Sequence, residues 1–171
     1  MTIDLGLLIL RALVGLLFVG HGAQKLFGLF GGHGLAGTSD WLESLGLRPG
    51  RFWATLAGLA EFGGGLLLAL GLGGPVGPLA LIGAMLVAIL KVHRPNGLWG
   101  TKGGYEYPLV LLTLVAVLGL VGPGRYALDP LLGIAVPLPL TFWVGLAAVL
   151  LLVAAGLAPR GQRLTARQRP A

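Results

Sequence analysis

The ionisable residues Arg11, His21, Lys25, Glu61, Lys91 and Glu106 lie in or beside strongly apolar stretches of the sequence. Three of them fall within "RALVGLLFVGHGAQKLFG", residues 11–28. Charged groups in hydrocarbon are costly, and where they persist they often mark proton relays or ligand sites. A histidine beside a glutamate and an arginine has the chemistry to shuttle protons or to bind a carbonyl or quinol oxygen. The same residues serve equally well as structural clamps and topology markers in a small helical bundle. Residue types and spacing leave both readings open.

On a helix, Arg11, Phe18 and Lys25 recur every seven residues, with His21 one turn before Lys25 and Gly15 and Gly22 interleaved on the same side. Arg11 is then about 21 Å along the axis from Lys25. Counted from Arg51, where a second apolar segment begins, Glu61 lies about 15 Å into the membrane. These heights predict an Arg11–Glu61 pair facing the bundle interior, because an unpaired carboxylate there would have to protonate or find a cation. A second expected grouping is Lys25, Lys91 and Glu106 at the cytoplasmic ends of their helices, with His21 hydrogen-bonding into it.

What holds these residues is a chain built for lipid. Its 171 residues are 56% hydrophobic and only 11% charged, with mean hydropathy +0.89, against about 25% charged residues in soluble domains. Its 31 glycines suit close packing of membrane helices. With no cysteine, the chain alone offers no thiol nucleophile, disulfide exchange or cysteine-ligated cluster. His21, His33 and His93 lack close metal-ligand spacing, so no metal site is expected. "GLFGGHGLAG" and "GLGGPVG" match neither dinucleotide nor Walker patterns. No hydrolase triad or glycosidase carboxylate pair is visible, and no catalytic residue is assigned. The net charge of +6 is carried between and after apolar runs, which fits topology and anionic-lipid contact rather than nucleic acid.

Five apolar segments are predicted: 5–25 extending to as far as 30, 52–70, 76–92, 107–121 and 140–158. The third and fourth are short for a bilayer, so their ends are expected to extend into polar flanks. With five passes the tail carrying Arg160, Arg163, Arg167 and Arg169 is cytoplasmic, as are Arg48, Arg51, Lys91, Arg94 and Lys102. Arg125 alone is basic on the other side, and the N terminus is outside. The first segment lacks a convincing cleavage site and reads as a retained span. A short surface helix is expected in the first loop, capped by Thr38 or Ser39, with Trp41, Leu42 and Leu45 toward the membrane. Trp99 and Tyr105 read as interfacial anchors.

"LRALVGLLFVGHGAQKLFG", followed by "LAGLAEFGGGLLLALGLGGPVGPLAL" and "WGTKGGYEYPLVLLTLVAVLGL", resembles the DoxX family of small bacterial membrane proteins over about residues 5–122. The resemblance carries over Arg11, His21, Gly22, Lys25 and Glu61, and extends to Glu106. It implies a four-helix core, with 140–158 as an added fifth span, in the bacterial cytoplasmic membrane. It also implies membrane redox work: some relatives are associated with a thiosulfate:quinone oxidoreductase subunit or with oxidative-stress complexes. More distant relatives assist disulfide chemistry, for which this chain has no cysteine.

The expected fold is therefore all-α, a polytopic transmembrane helical bundle. Residues 1–125 form the core, 126–158 a linker and additional helix, and 159–171 a basic cytoplasmic tail. The expected role is a membrane component of a redox system, binding a non-covalent quinone or similar lipophilic molecule near Arg11, His21 and Glu61. Arg11 would hold Glu61 ionised, His21 or Glu61 would exchange a proton with the headgroup, and a redox-enzyme partner or substrate would supply electrons. Two alternatives stand beside it: a non-enzymatic scaffold recruiting redox enzymes, and a small-solute transporter. Lipids are expected partners in every case.

Overall fold

The computed structural model describes residues 1–158; the predicted basic tail, 159–171, lies outside them. The described chain is all-α, with helices α1 (Thr2–Phe27), α2 (Gly34–Ser44), α3 (Gly50–Leu70), α4 (Val76–Val87), α5 (Glu106–Val121), α6 (Leu128–Leu131) and α7 (Leu138–Leu157). α4 runs on through a π-helical turn, Ala88–His93, and a 3₁₀ turn, Arg94–Asn96. This is how the third predicted span gains its missing length. Four stretches are long and apolar enough to cross a membrane: Thr2–Phe27, Gly50–Leu70, Val76–Asn96 and Leu138–Leu157. α5, at 16 residues, is apolar but only about 24 Å long against a hydrocarbon core of about 30 Å.

The longest interface joins α1 to α3, antiparallel. Missing side chains make it possible. A Cβ on Gly15 would lie 2.6 Å from the Ala69 nitrogen, and one on Gly65 2.6 Å from the Gly15 carbonyl oxygen. Further along, a Cβ on Gly22 would lie 2.6 Å from Phe62 Cα, and Leu26 covers Gly58. These contacts fix the register: residues near 15 face those near 65, and residues near 26 face those near 58. α3 meets α4 at Gly64 and Gly77, and α5 closes on Pro78 and Phe142 at Gly119. Phe18, Leu81, Val115 and Phe142 are completely buried between these helices, with Val14, Leu68, Ile82, Met85, Leu111 and Leu118 around them. α7 packs one edge against α4 and α5 and leaves Leu140, Trp143, Val144, Leu151 and Leu152 exposed.

The glycine register gives a sharp contrast between two neighbouring positions. Gly22→Ala must push α1 away from the α3 backbone, an overpacking cost of about 1–3 kcal/mol, of which better helix propensity returns at most about 1. Gly20 has nothing within 4 Å of where its Cβ would stand, so Gly20→Ala should be neutral or stabilising. Thermal unfolding of the two variants in one detergent should separate them clearly.

The surface helix exists, but its details correct the sequence reading. It starts at Gly34, preceded by His33, and Thr38 is buried in mid-helix rather than capping it. The Thr38 hydroxyl donates to the Lys25 carbonyl oxygen at 3.5 Å, which ties α2 across the end of α1. Leu42 packs with Leu47 and Ala54 in a small second core instead of turning to lipid, while Trp41 stays exposed. The Glu43 carboxylate accepts the Gly50 N–H at 2.8 Å, where α3 begins; an anion is favoured at that position by the helix dipole.

Candidate functional site

The α1–α3 register decides which charges meet. Leu26 lies over Gly58 and Gly22 over Phe62, so Lys25 and Glu61 come to about the same height. They form an ion pair, Lys25 Nζ donating to Glu61 Oε2. The Glu61 side chain is 5% exposed and that of Lys25 25%. The carboxylate is thus interior, while the lysine reaches it from the rim along an apolar stem. Such a charge-assisted bond offsets part of the cost of taking both charges out of water.

His21 stands one helical turn from Lys25. Gln24 donates its amide N–H to the Phe30 carbonyl oxygen at 3.1 Å, which turns its Oε1 toward His21 Nδ1, 3.3 Å away. An amide oxygen only accepts, so Nδ1 carries the proton. Nε2 lies 3.4 Å from the Tyr107 hydroxyl, within hydrogen-bond reach. The two rings meet edge to face at 6.3 Å. Tyr107, on the first turn of α5, is half exposed. The result is a hydrogen-bonded His21–Tyr107 pair at the bundle rim beside a buried ion pair.

The predicted Arg11–Glu61 pair is not formed. Arg11 is only 3% exposed, but it donates from Nη1 to the Ala69 carbonyl oxygen and from Nη2 to that of Tyr126. Counting heights from Arg51 went astray because α3 begins well beyond the end of α1, beside α2. Arg11 therefore meets the last turn of α3, whose free carbonyls form the negative end of the helix dipole. Its Nε has no partner among the described residues, and Arg11 also lines a cavity of about 10 Å³, room for about one water molecule.

Arg11 belongs to a clamp that the sequence did not disclose. Gly71 ends α3 with φ 64°, and its carbonyl oxygen accepts the Asp129 N–H at 3.0 Å. The buried Asp129 carboxylate accepts the Gly73 and Gly74 N–H groups at 2.9 and 2.7 Å. The segment around α6 is thereby stitched over the ends of α1 and α3.

The grouping of Lys25, Lys91 and Glu106 is also corrected. Lys25 is committed to Glu61. Glu106 instead accepts the Gly100 N–H at 2.8 Å and shapes the 97–105 loop. Lys91 lies on the π-helical turn with no ion pair among the described residues. His21 turns to Gln24 and Tyr107, as above. Tyr107 and Gln24 were the site residues missed; Tyr107 read only as the start of an apolar segment.

The sequence model of the DoxX family matches residues 6–94, which carry α1 to α4 with Arg11, His21, Lys25 and Glu61. The chain belongs to the DoxX family. Three relatives of this DoxX protein make its setting concrete. It is 32% identical to "Putative oxidoreductase CatD" of Bacillus subtilis, over 75% of this chain and 88% of that one. It is 32% identical to "Uncharacterized membrane protein Rv3486" of Mycobacterium tuberculosis, over 70% and 77%. It is 31% identical to "Inner membrane protein YqjF" of Escherichia coli, over 75% and 93%. No solved structure matches the chain. This DoxX protein is a multi-pass protein of the bacterial cytoplasmic membrane, in a family associated with membrane redox work.

Proposed function

We propose that this DoxX protein is the membrane component of a redox system and binds a quinone or a similar lipophilic carbonyl compound at the rim formed by His21, Lys25, Glu61 and Tyr107. The observation that carries this reading is the buried Lys25–Glu61 pair beside the exposed His21–Tyr107 hydrogen bond. The donor set fits the ligand: the Tyr107 hydroxyl and the Lys25 ammonium are donors for carbonyl oxygens at the edge of an apolar bundle. A bound quinone would supply the two-electron, two-proton chemistry that no side chain here provides.

The chain's own residues handle position and protons. Lys25 pairs with Glu61 and orients it, in the role first expected of Arg11. His21 Nε2, facing Tyr107, exchanges a proton with the rim through the phenol. Its Nδ1–H, fixed by Gln24, keeps the ring oriented. Electrons come from a partner enzyme or a reduced substrate.

The same proposal includes the membrane arrangement. Five passes, with the N terminus outside, place every basic loop but Arg125 in the cytoplasm. α5 completes its pass through the 97–105 loop below and residues 122–125 above. Residues 1–125 then form the core, and 126–158 the strap and the added helix.

The test is mass spectrometry of the organic extract from gently solubilised protein. Wild-type protein should carry about one quinone per chain. The double variant Lys25→Met with Glu61→Leu should lose it while keeping its fold by circular dichroism. Ordinary phospholipids alone from both proteins would move the assignment to a scaffold whose buried charges only hold helices together.

A further inference from the structure

At the other end of α1, about 31 Å along the helix from Lys25, lies a shallow, open groove. Its walls include Asp4, Arg125, Val121, Leu131 and Leu138. We infer that this groove is a second binding site, independent of the redox reading, for the zwitterionic headgroup of an aminophospholipid: phosphate on Arg125, primary ammonium on Asp4.

The chain is folded to present these two groups together. α5 stops at Gly122, φ 92°, and the turn continues through Pro123 and Gly124, φ 75°. A Cβ at Gly124 would press on Leu7 at 3.3 Å, so glycine there lets the turn approach α1. The approach allows the Arg125 N–H to donate to Asp4 Oδ1 at 3.1 Å. The backbone thereby satisfies one carboxylate oxygen and leaves the Arg125 side chain exposed. Its guanidinium forms no ion pair within 4 Å among the described residues; Asp4 attracts it from further away.

The charges select the headgroup. A guanidinium is a forked donor matched to phosphate oxygens. A purely anionic lipid would satisfy Arg125 but bring its charge against Asp4. A choline headgroup balances the charges, yet its quaternary nitrogen cannot donate to a carboxylate, and it is recognised by aromatic faces that this lining lacks. A primary ammonium can donate to Asp4 Oδ2. The carboxylate already admits an ammonium from that side: the Met1 amino group lies 3.6 Å away. The amino group is almost fully exposed although the Asp4 side chain is only 20% exposed; a pair open to water on one side is worth about 1 kcal/mol or less, and a bound headgroup can displace it. Val121, Leu131 and Leu138, all apolar, line the same groove and suit the glycerol and the first acyl carbons.

The full chain should be reconstituted in nanodiscs containing equal parts phosphatidylethanolamine, phosphatidylglycerol and phosphatidylcholine with identical acyl chains, then released and weighed with its retained lipids. Wild-type protein should retain phosphatidylethanolamine over both others by about tenfold, the effect of one charge-assisted hydrogen bond. Arg125→Gln should lower retention of all three. Asp4→Asn keeps the oxygen that accepts the Arg125 N–H, so it should leave the fold intact while abolishing the preference over phosphatidylcholine. Equal retention of the three lipids, preference for phosphatidylglycerol, or an Asp4→Asn protein that still prefers phosphatidylethanolamine would each overturn the inference.

Discussion

Lys25→Met is expected to destabilise the protein by about 3–5 kcal/mol, the usual cost of stripping one partner from a buried pair. Glu61 is the partner that suffers, because its side chain is 5% exposed and lies between helices. The opposite substitution, Glu61→Leu, should cost less, about 1–3 kcal/mol. Lys25 is a quarter exposed and can swing its ammonium outward once the carboxylate is gone. The double variant replaces both charges by apolar groups of similar length, a change often near neutral. It should return to within about 1 kcal/mol of wild type. Thermal or denaturant unfolding of the four proteins in one detergent measures this cycle. A double variant as unstable as the two single losses added together would mean that the charges do not act as a pair. The same cycle separates stability from function, since the double variant keeps the fold but has neither Lys25 to donate nor Glu61 to hold it.

The helices were legible in the sequence, and the pairing of their charges was not. The span predicted at 52–70 is α3 at Gly50–Leu70, and the apolar segment predicted at 107–121 is helical as α5, Glu106–Val121. Apolar runs, the left-handed glycines Gly28 and Gly71 and the proline-rich connections mark ends locally. Pairing depends on how far one helix slides along another. Here that is set by Gly15, Gly22, Gly58 and Gly65, whose partners are known only once the helices are docked. Measured from a supposed common membrane surface, Arg11 and Glu61 seemed level; measured from the glycine contacts, Lys25 and Glu61 are. Asp129 was hidden for a related reason. Its partners are backbone N–H groups of Gly73 and Gly74, and backbone donors leave no trace in residue type.

That correction has its own decisive experiment in Arg11→Met. The guanidinium makes two charge-assisted bonds to carbonyl oxygens on separate elements, Ala69 at the end of α3 and Tyr126 before α6. At about 1.5–3 kcal/mol each, losing both should cost at least about 3 kcal/mol. Arg11→Lys should recover only part of it, because one ammonium cannot reproduce the planar fork that spans two carbonyls. The loss should be felt where the clamp is: amide exchange should rise in 122–137, which Arg11 and Asp129 hold down together, while α2 stays protected. Combination with Glu61→Leu then tests the assignment itself. Arg11 is about 21 Å along α1 from Lys25, and the two sites share no partner, so their effects should add to within about 0.5 kcal/mol. A coupling of 1 kcal/mol or more, on the order found for groups in one network, would return Arg11 to Glu61 and remove Lys25 as the residue that holds the carboxylate.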